Sequence, residues 1–345
     1  MSMKKFLASL VVVALLLVGF LYPLNYYIMS PGGAYNLDEY VKVEGADKPS
    51  KGSLSMMTVG MAKATPFTYV MAKFSDNRDI LKEKDVRSPE ESDADYNLRQ
   101  LKLMTDSQFN AKYMAFKATG HPYKVKYNGV YVIYVVDKAA ASKVLKAGDE
   151  VTAIDDKKIK KHLDLVDYLA TKKKGDVVKL TFKRDGKQYT KKVTLSEIPG
   201  AKGKIGLGIT FSDSKSINTD PKVTIDSEDI GGPSAGLMFT LEIIDQLTSG
   251  DLTKGHKIAG TGEMLEDGKV GRIGGIDKKV IAADDEGIEI FFAPKDDITP
   301  EMKKAIPSLK TNYEEASEEA KKLKTTMKII PVETLEDALD YLKNL

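Results

Sequence analysis

The chain has 345 residues, with 52 Lys and Arg against 50 Asp and Glu, so its formal net charge is only +2 at pH 7. This balance excludes the broad basic surface that is typical of nucleic-acid-binding proteins. The chain has no Cys and 3 His without the HExxH spacing, which excludes disulfide scaffolds, thiolate zinc sites, cysteine nucleophiles and zincin chemistry. We therefore expect no metal, no cofactor and no nucleic-acid partner, and a hydrolase built from this chain must use Ser, Thr, Asp, Glu or Lys.

The N-terminal segment predicts a membrane anchor. Lys4 and Lys5 precede an apolar run, and the ~20 residues that cross ~30 Å of hydrocarbon as a helix are available between Phe6 and Leu24. The positive-inside rule makes residues 1–29 a cytoplasmic stub plus anchor, with an extracytoplasmic body at the cell membrane. A cleaved signal peptide is the alternative, although residues 22–27 are too bulky for a cleavage site.

Hydrophobic patterning predicts the first elements of the body. Ser53–Met61 and Phe67–Phe74 are interpreted as strands. Apolar residues recur at helical spacing over Tyr96–Ala118, which predicts a helix that Gly120-His121-Pro122 terminates.

The next region is rich in strand signals. Gly129–Val136 predicts a strand, Leu163–Thr171 an amphipathic helix, and Asp185-Gly186 the turn of a hairpin. Together with the Leu-x-x-Gly-Asp-x-Val segment at Leu145–Val151, this order resembles a PDZ domain of the bacterial protease type.

The PDZ resemblance implies that an extended peptide adds as a strand to the sheet. On that basis Gly129, Val130 and Tyr131 are the expected peptide-binding residues. A purely structural role, in which this region spaces or shields a neighbouring domain, is the alternative.

A serine follows a glycine-rich turn farther along the chain. The predicted strand Lys222–Asp226 leads through Gly231-Gly232-Pro233-Ser234-Ala235-Gly236 into the predicted helix Leu237–Leu247. A serine at a helix N-terminus lies beside unpaired N–H groups that stabilise negative charge. The turn lacks the Gly-Lys-Ser/Thr of a Walker phosphate loop, so Ser234 is a candidate nucleophile.

Two further segments complete a recognisable pattern. Thr261-Gly262-Glu263 is followed by Gly274-Gly275-Ile276-Asp277-Lys278-Lys279 and the predicted helix Val280–Glu286. With the Pro-Ser-Ala-Gly turn, these segments resemble the proteolytic domain of Lon-type serine proteases. The resemblance implies that Ser234 is the nucleophile, Lys279 the general base and Thr261 its neighbour.

The resemblance also implies that backbone groups of Gly232, Pro233 and Ala235 bind the oxyanion or substrate. General chemistry agrees with the dyad, since a serine hydroxyl needs a base. A lysine serves as one only when its pKa falls from ~10.4 toward ~7–8. Gly231 departs from the pattern, because many Lon proteases have Asp at that position.

The earlier segments place the protease domain around the PDZ-like region. Gly52–Thr58 and Met104–Ala115 resemble the opening strand and first helix of the Lon proteolytic domain. The expected organisation is therefore a protease domain formed by residues 30–120 and 203–345, with a PDZ-like insertion at 121–202. The expected fold class is α+β, preceded by one transmembrane helix.

As a whole, the chain resembles the membrane-anchored PDZ-containing Lon-like proteases of Gram-positive bacteria (the YlbL-like group). The resemblance implies a serine endopeptidase that cleaves extracytoplasmic peptides or flexible protein segments. It is expected to be ATP-independent because the sequence has no Walker A motif. Maturation of a secreted signalling peptide is one role that fits, and family members tend to form rings, which makes a homo-oligomer an expectation. The alternative function is a non-catalytic PDZ-type scaffold that binds peptides at the cell surface.

Overall fold

A computed structural model describes residues 3–46, 51–88, 91–227 and 230–345. Within these residues the helices are α1 (Met3–Leu21), α2 (Pro66–Lys73), α3 (Glu83–Val86), α4 (Asp93–Thr119), α5 (His162–Ala170), α6 (Gly236–Leu247), α7 (Ile276–Asp285), α8 (Pro300–Ala305), α9 (Asn312–Leu323) and α10 (Leu335–Lys343). The strands are β1 (Tyr26–Asn36), β2 (Val41–Val43), β3 (Ser53–Lys63), β4 (Asp79–Lys82), β5 (Tyr123–Val135), β6 (Glu150–Ile154), β7 (Lys157–Lys158), β8 (Val177–Arg184), β9 (Lys187–Thr194), β10 (Ser196–Glu197), β11 (Ile205–Gly206), β12 (Ile209–Thr219), β13 (Val223–Ile225), β14 (Lys257–Gly260), β15 (Glu263–Met264), β16 (Val270–Gly271), β17 (Ile290–Pro294) and β18 (Lys328–Val332).

The chain divides into two compact units. The first unit consists of Met1–Lys42, Ala46–Pro89 and Ser234–Leu345, and the second of Val43–Gly45 and Glu90–Pro233. The second unit contains the predicted PDZ-like residues and extends beyond them on either side. The predicted domain boundaries themselves stay a prediction.

The first unit is built on a mixed sheet with the strand order β18-β17-β14-β3-β1-β4. Strands β3, β14, β17 and β18 run parallel, while β1 pairs antiparallel with both β3 and β4, so β1 is the reversed strand of this sheet. All five residues of β17 are buried, as expected for a parallel strand covered on both faces. Such sheets place functional groups at the carboxyl ends of their strands, and β14 ends at Gly260, directly before Thr261.

Two helices of the first unit carry the predicted chemistry. Residues Gly236 to Asp245 of α6 are buried without interruption, so this helix is enclosed by protein on every side. In α7 the buried residues include Ile276, Val280 and Ala283, which join a core with Phe291 of β17. The close packing fixes the position of each side chain near the N-termini of these helices.

The second unit contains the sheet β12-β5-β6-β8-β9 and the helices α4 and α5. Its core includes Val130, Leu165 and Phe182. Arg184 holds the fully buried carboxylate of Asp149 through two hydrogen bonds of 2.7 Å, so the buried charge has a cation beside it. The helix α4 begins at the capping hydroxyl of Ser92 and ends at Gly120 in the left-handed conformation.

The predicted peptide-binding strand is corrected by this topology. Val130 pairs with Asp213 of β12 and with Val151 of β6, while Tyr131 pairs with Ser212 and Glu150. Gly129 pairs with Ser214 of β12. A peptide can add only to a strand with an unpaired edge, so these three residues cannot receive one as the sequence predicts.

The segment Phe67–Phe74 is also corrected, because it forms the helix α2 and not a strand. Thr65 and Thr68 make a reciprocal capping box, and Pro66 occupies the first helical turn. These are strong helix-start signals, and they outweigh the aromatic and β-branched composition that suggests a strand.

The N-terminal apolar run forms α1, which ends at Leu21. Pro23 disfavours the helical conformation at the residue before it, which accounts for this end. Of the helices in the described part of the chain, none combines the length and apolar composition that a membrane span needs. The predicted anchor stays a prediction.

Candidate active site

Ser234 lies in the turn that leads into α6, and its backbone is held firmly. The carbonyl oxygen of Ser234 accepts hydrogen bonds from the N–H of Gly262 at 2.8 Å and from Oγ1 of Thr261 at 3.0 Å. Gly262 has φ +154°, and a Cβ there would lie 2.3 Å from Val270. Only glycine fits this position, so the Thr-Gly pair fixes the backbone of the serine.

Lys279 reaches Ser234 from the first turn of α7. Its Nζ lies 2.7 Å from Oγ of Ser234 and 2.8 Å from Oγ1 of Thr261. Lys279 is 2% exposed and Thr261 is fully buried. The structure thus brings together the three side chains that the sequence predicts at the reaction centre, with Lys279 within hydrogen-bonding distance of both hydroxyls.

Burial lowers the pKa of the Lys279 ammonium to about 7. Desolvation is the cause, since the charged form loses hydration and no carboxylate of the described residues compensates for that loss. At neutral pH a large fraction of Lys279 is therefore the neutral amine. A serine nucleophile needs a base of this kind.

The adjacent Lys278 has the opposite environment. Its ammonium lies 2.7 Å from Asp277 and 2.9 Å from Asp79. Desolvation lowers the pKa of Lys278, but these two carboxylates outweigh it and the net pKa is raised. Since neighbouring side chains of a helix point ~100° apart, one lysine of the pair stays charged while the other loses its charge near neutral pH.

The hydroxyl of Thr261 fixes the direction of the lysine lone pair. Thr261 donates its one proton to the carbonyl oxygen of Ser234, so its oxygen must accept a hydrogen from Lys279. A neutral amine has two hydrogens and one lone pair. With one hydrogen directed at Thr261, Lys279 can turn its lone pair toward the hydroxyl of Ser234.

The predicted oxyanion-binding residues differ in whether a backbone N–H group is available to donate. Pro233 has no N–H, and the N–H of Gly232 donates to the carbonyl oxygen of Gln100 at 2.9 Å. The N–H groups of Ser234 and Ala235 have no acceptor among the described residues. They stand at the N-terminus of α6, where the helix dipole favours an anion. Of the three predicted residues, Ala235 alone is placed to donate, and Ser234 supplies the second N–H.

The second unit has its own candidate peptide site, which sequence reasoning missed. Strand β12 ends the sheet order, and its paired neighbour is β5 on one side. The helix α5 lies along this strand: the backbone N–H of His162 donates to Oδ1 of Asp213 at 2.6 Å. An edge strand beside a helix forms a groove in which a peptide can pair with β12.

A backbone loop closes one end of this groove. The carbonyl groups of Leu207 and Gly208 accept from Ala141 and Val136, while the N–H groups of Leu207 and Gly208 have no acceptor in the described residues. Gly208 has φ +70°, and a Cβ there would lie 2.2 Å from Ala139. Unpaired N–H groups at the start of an edge strand can bind a C-terminal carboxylate. The Gly-Leu-Gly triplet before a strand is the sequence signal that could have identified it.

Two segments of the chain match protein-family models. Residues 226–343 match the Lon protease (S16) C-terminal proteolytic domain, and residues 105–195 match the PDZ domain. The predicted resemblance of these regions to a Lon proteolytic domain and to a PDZ domain is confirmed at this level. The chain thus combines mixed α/β structure with segments homologous to a serine peptidase domain and to a peptide-binding module.

Individual proteins are similar to parts of this chain. A Lon protease of Mesomycoplasma hyopneumoniae is 27% identical over 169 residues, which is 49% of this chain and 17% of the relative. A Lon protease of Metamycoplasma arthritidis is 41% identical over 88 residues, covering 24% of this chain and 10% of the relative. The crystal structure of the PDZ domain of an SdrC-like protein from Listeria monocytogenes is 42% identical, covers 26% of this chain and 92% of that domain, and has a TM-score of 0.24. The chain therefore spans less than a fifth of the length of these Lon proteases.

Substituting Lys279 with Met should stabilise the fold in a pH-dependent manner. The folded-state pKa of Lys279, about 7, lies below the ordinary lysine pKa of 10.5, so its contribution to the free energy of unfolding is unfavourable below pH ~7 and disappears as pH rises toward ~10.5. The gain in stability of Lys279→Met over wild type should therefore be largest at pH 6 and shrink at pH 9. Urea unfolding at the two pH values measures this difference.

Lys278→Met is the matched control for this experiment. It removes a paired ammonium, so it should lower stability at both pH values. A Lys279→Met gain that does not shrink between pH 6 and pH 9 would contradict the lowered pKa.

Proposed function

We propose that the chain is a serine endopeptidase in which Ser234 is the nucleophile and Lys279 the general base. The contact that carries this proposal is the 2.7 Å distance between Nζ of Lys279 and Oγ of Ser234 in a buried site. The homology of residues 226–343 to Lon proteolytic domains supports the same chemistry. Thr261 orients the lysine, and the N–H groups of Ser234 and Ala235 form the oxyanion site.

Acylation begins when Oγ of Ser234 attacks the scissile carbonyl carbon and its proton passes to neutral Lys279. The negative charge that forms on the carbonyl oxygen is stabilised by the two N–H groups at the start of α6. Collapse of this intermediate breaks the C–N bond, and the Lys279 ammonium gives its proton to the leaving amine. Water then attacks the acyl-enzyme, Lys279 takes one proton from the water, and that proton returns to Oγ of Ser234 as the ester breaks.

The peptide groove of the second unit supports a preference for substrates with an accessible chain end. Pairing with β12 requires an extended segment, and the loop at Leu207 and Gly208 suits a terminal carboxylate. We therefore propose that substrates are peptides or flexible protein segments, and that hydrolysis does not require ATP. Maturation of a secreted signalling peptide fits this substrate class.

The proposals for cellular location and for assembly are based on the sequence alone. The charged Lys4 and Lys5 before an apolar run support an extracytoplasmic body at a membrane. That location, and association into a homo-oligomer, stay predictions.

Two arginine substitutions test the dyad. Lys279→Arg keeps a cation that cannot lose its proton, so hydrolysis of a pool of unstructured peptides, read by mass spectrometry, should be abolished. Ser234→Ala should lower the rate by about 10⁴-fold or more. Lys278→Arg keeps the ion pairs with Asp277 and Asp79 and should cleave at near the wild-type rate, and adding ATP should change none of these rates.

Equal cleavage by wild type and Ser234→Ala would overturn the proposed nucleophile. No cleavage by folded wild type, with peptide binding retained, would instead favour the alternative function, a non-catalytic PDZ-type scaffold.

The rate should rise with pH through the Lys279 ionisation. The neutral amine is the active form, and the pKa of Lys279 is about 7, so kcat/KM should increase from pH 5.5 to a plateau above pH ~8 with an inflection near 7. A profile that falls over this range would contradict a lysine base. The measurement is initial-rate hydrolysis of one cleaved peptide across the pH series.

The groove is tested by placing a charge on its helical wall. Val166 lies one turn after His162, on the same face of α5, and is 42% exposed. Val166→Asp should weaken binding of a C-terminal-acid peptide library by about tenfold, and the same library with C-terminal amides should bind wild type weakly. Val177→Asp is the matched control, since Val177 is 56% exposed on β8, and β5 and β6 separate β8 from β12. Equal binding by the two variants would place the peptide elsewhere.

A further inference from the structure

The short segment before the nucleophile, which we name the nucleophile arm (residues 230–233), is held by α4. The N–H of Gly232 donates to the carbonyl oxygen of Gln100 at 2.9 Å. The hydroxyl of Ser107 donates to the carbonyl oxygen of Pro233 at 3.0 Å. Ser107 is 1% exposed, so water cannot readily replace this second bond.

The acceptor of the Ser107 hydroxyl shares a peptide plane with the nucleophile. The carbonyl of Pro233 and the N–H of Ser234 belong to one rigid peptide unit, in which the C=O and N–H bonds point in opposite directions. Fixing the direction of the Pro233 carbonyl therefore fixes the direction of the Ser234 N–H. A hydrogen bond to the carbonyl also polarises the N–H of the same unit.

The next peptide unit is controlled in the same way from the opposite end. The carbonyl of Ser234 accepts from Thr261 and Gly262, and that carbonyl shares its plane with the N–H of Ala235. Two consecutive planes are thus each held by hydrogen bonds at the carbonyl. The N–H groups of these two planes are the ones that have no acceptor in the described residues.

We propose that Ser107 is a positioning residue that orients the Ser234 N–H toward the oxyanion of the transition state. This inference rests on the proposed serine peptidase function. Ser107 does not touch the reacting atoms, and it acts through the peptide plane that joins Pro233 to Ser234. Its removal lets that plane rotate and weakens one of the two oxyanion donors.

The primary test is Ser107→Ala in the full-length chain. Deleting an oxyanion donor costs about 10²–10³-fold in kcat, so misdirecting one should cost about 10- to 100-fold in kcat with KM changed less than about twofold. A peptide boronic acid forms a tetrahedral adduct with the serine and places an oxygen in the oxyanion site. Its affinity should fall by the same factor as kcat/KM.

The pair Ser107→Thr and Ser107→Val separates the hydroxyl from the packing. Thr and Val have nearly the same shape, so any strain from the added methyl is common to both, and Thr alone keeps the donor. Ser107→Thr should recover kcat relative to Ser107→Val. The inflection of the pH profile should stay near 7 in all three variants, because the Lys279 environment is unchanged.

The outcomes are distinguishable. Wild-type kinetics in Ser107→Ala, or equal rates for the Thr and Val variants, would overturn the inference and leave the dyad intact. Binding of an uncleaved peptide can be compared between Ser234→Ala and the double variant Ser234→Ala/Ser107→Ala. If the double variant binds more weakly by the same factor as the loss in kcat/KM, or if Ser107→Ala moves the pH inflection, Ser107 has a general structural role. If wild type shows no hydrolysis or boronate binding that depends on Ser234, the proposed function fails and the inference fails with it.

Discussion

The candidate site depends on one costly arrangement, a buried lysine that has no carboxylate partner among the residues the structure describes. Burial alone lowers the pKa of Lys279 to about 7, and any exposed or paired lysine would stay protonated at neutral pH. The arrangement therefore requires a rigid dry enclosure. The fully buried helix α6, the parallel strands β14 and β17, and the core face of α7 provide it. Proteins commonly accept such local destabilisation where function requires it.

Two other features of the site follow from backbone and not from side-chain chemistry. Thr261 comes directly after β14, so the end of a core strand determines where its hydroxyl lies between Lys279 and the Ser234 carbonyl. Gly262 brings its N–H to the same carbonyl because no side chain obstructs the approach. The position of Ser234 therefore depends on the sheet as much as on its own helix, which explains why three separated segments contribute to the position of this one side chain.

The sequence predicts well which three side chains meet at the candidate site and predicts their surroundings poorly, for physical reasons. Ser234, Thr261 and Lys279 stand in short motifs with glycines and helix starts close by in the sequence, so local pattern is sufficient. Gly129, Val130 and Tyr131 are mistaken for a peptide edge because strand propensity does not reveal which strand ends a sheet. Gly232 and Pro233 are likewise predicted at the oxyanion site, because the sequence does not reveal that the N–H of Gly232 donates to the carbonyl oxygen of Gln100. Pairing partners distant in sequence decide these two points. The capping box of α2 is different, because it is a local signal: the sequence contains it, but the aromatic composition of Phe67–Phe74 favours the wrong prediction of a strand.

The base and the oxyanion site are controlled by different forces, and this separation has a consequence for how the site tolerates change. The basicity of Lys279 depends on desolvation, so a water molecule or carboxylate admitted anywhere near Nζ alters it. The direction of the two N–H groups depends on hydrogen bonds to carbonyls, which are unaffected by pH and indifferent to small changes of polarity. Substitutions that open the core should therefore act on the pH dependence of the reaction, while substitutions along α4 and at Thr261 or Gly262 should act on the stabilisation of its transition state. Thr261 alone belongs to both groups, because its single hydroxyl contacts the lysine and the Ser234 carbonyl at once.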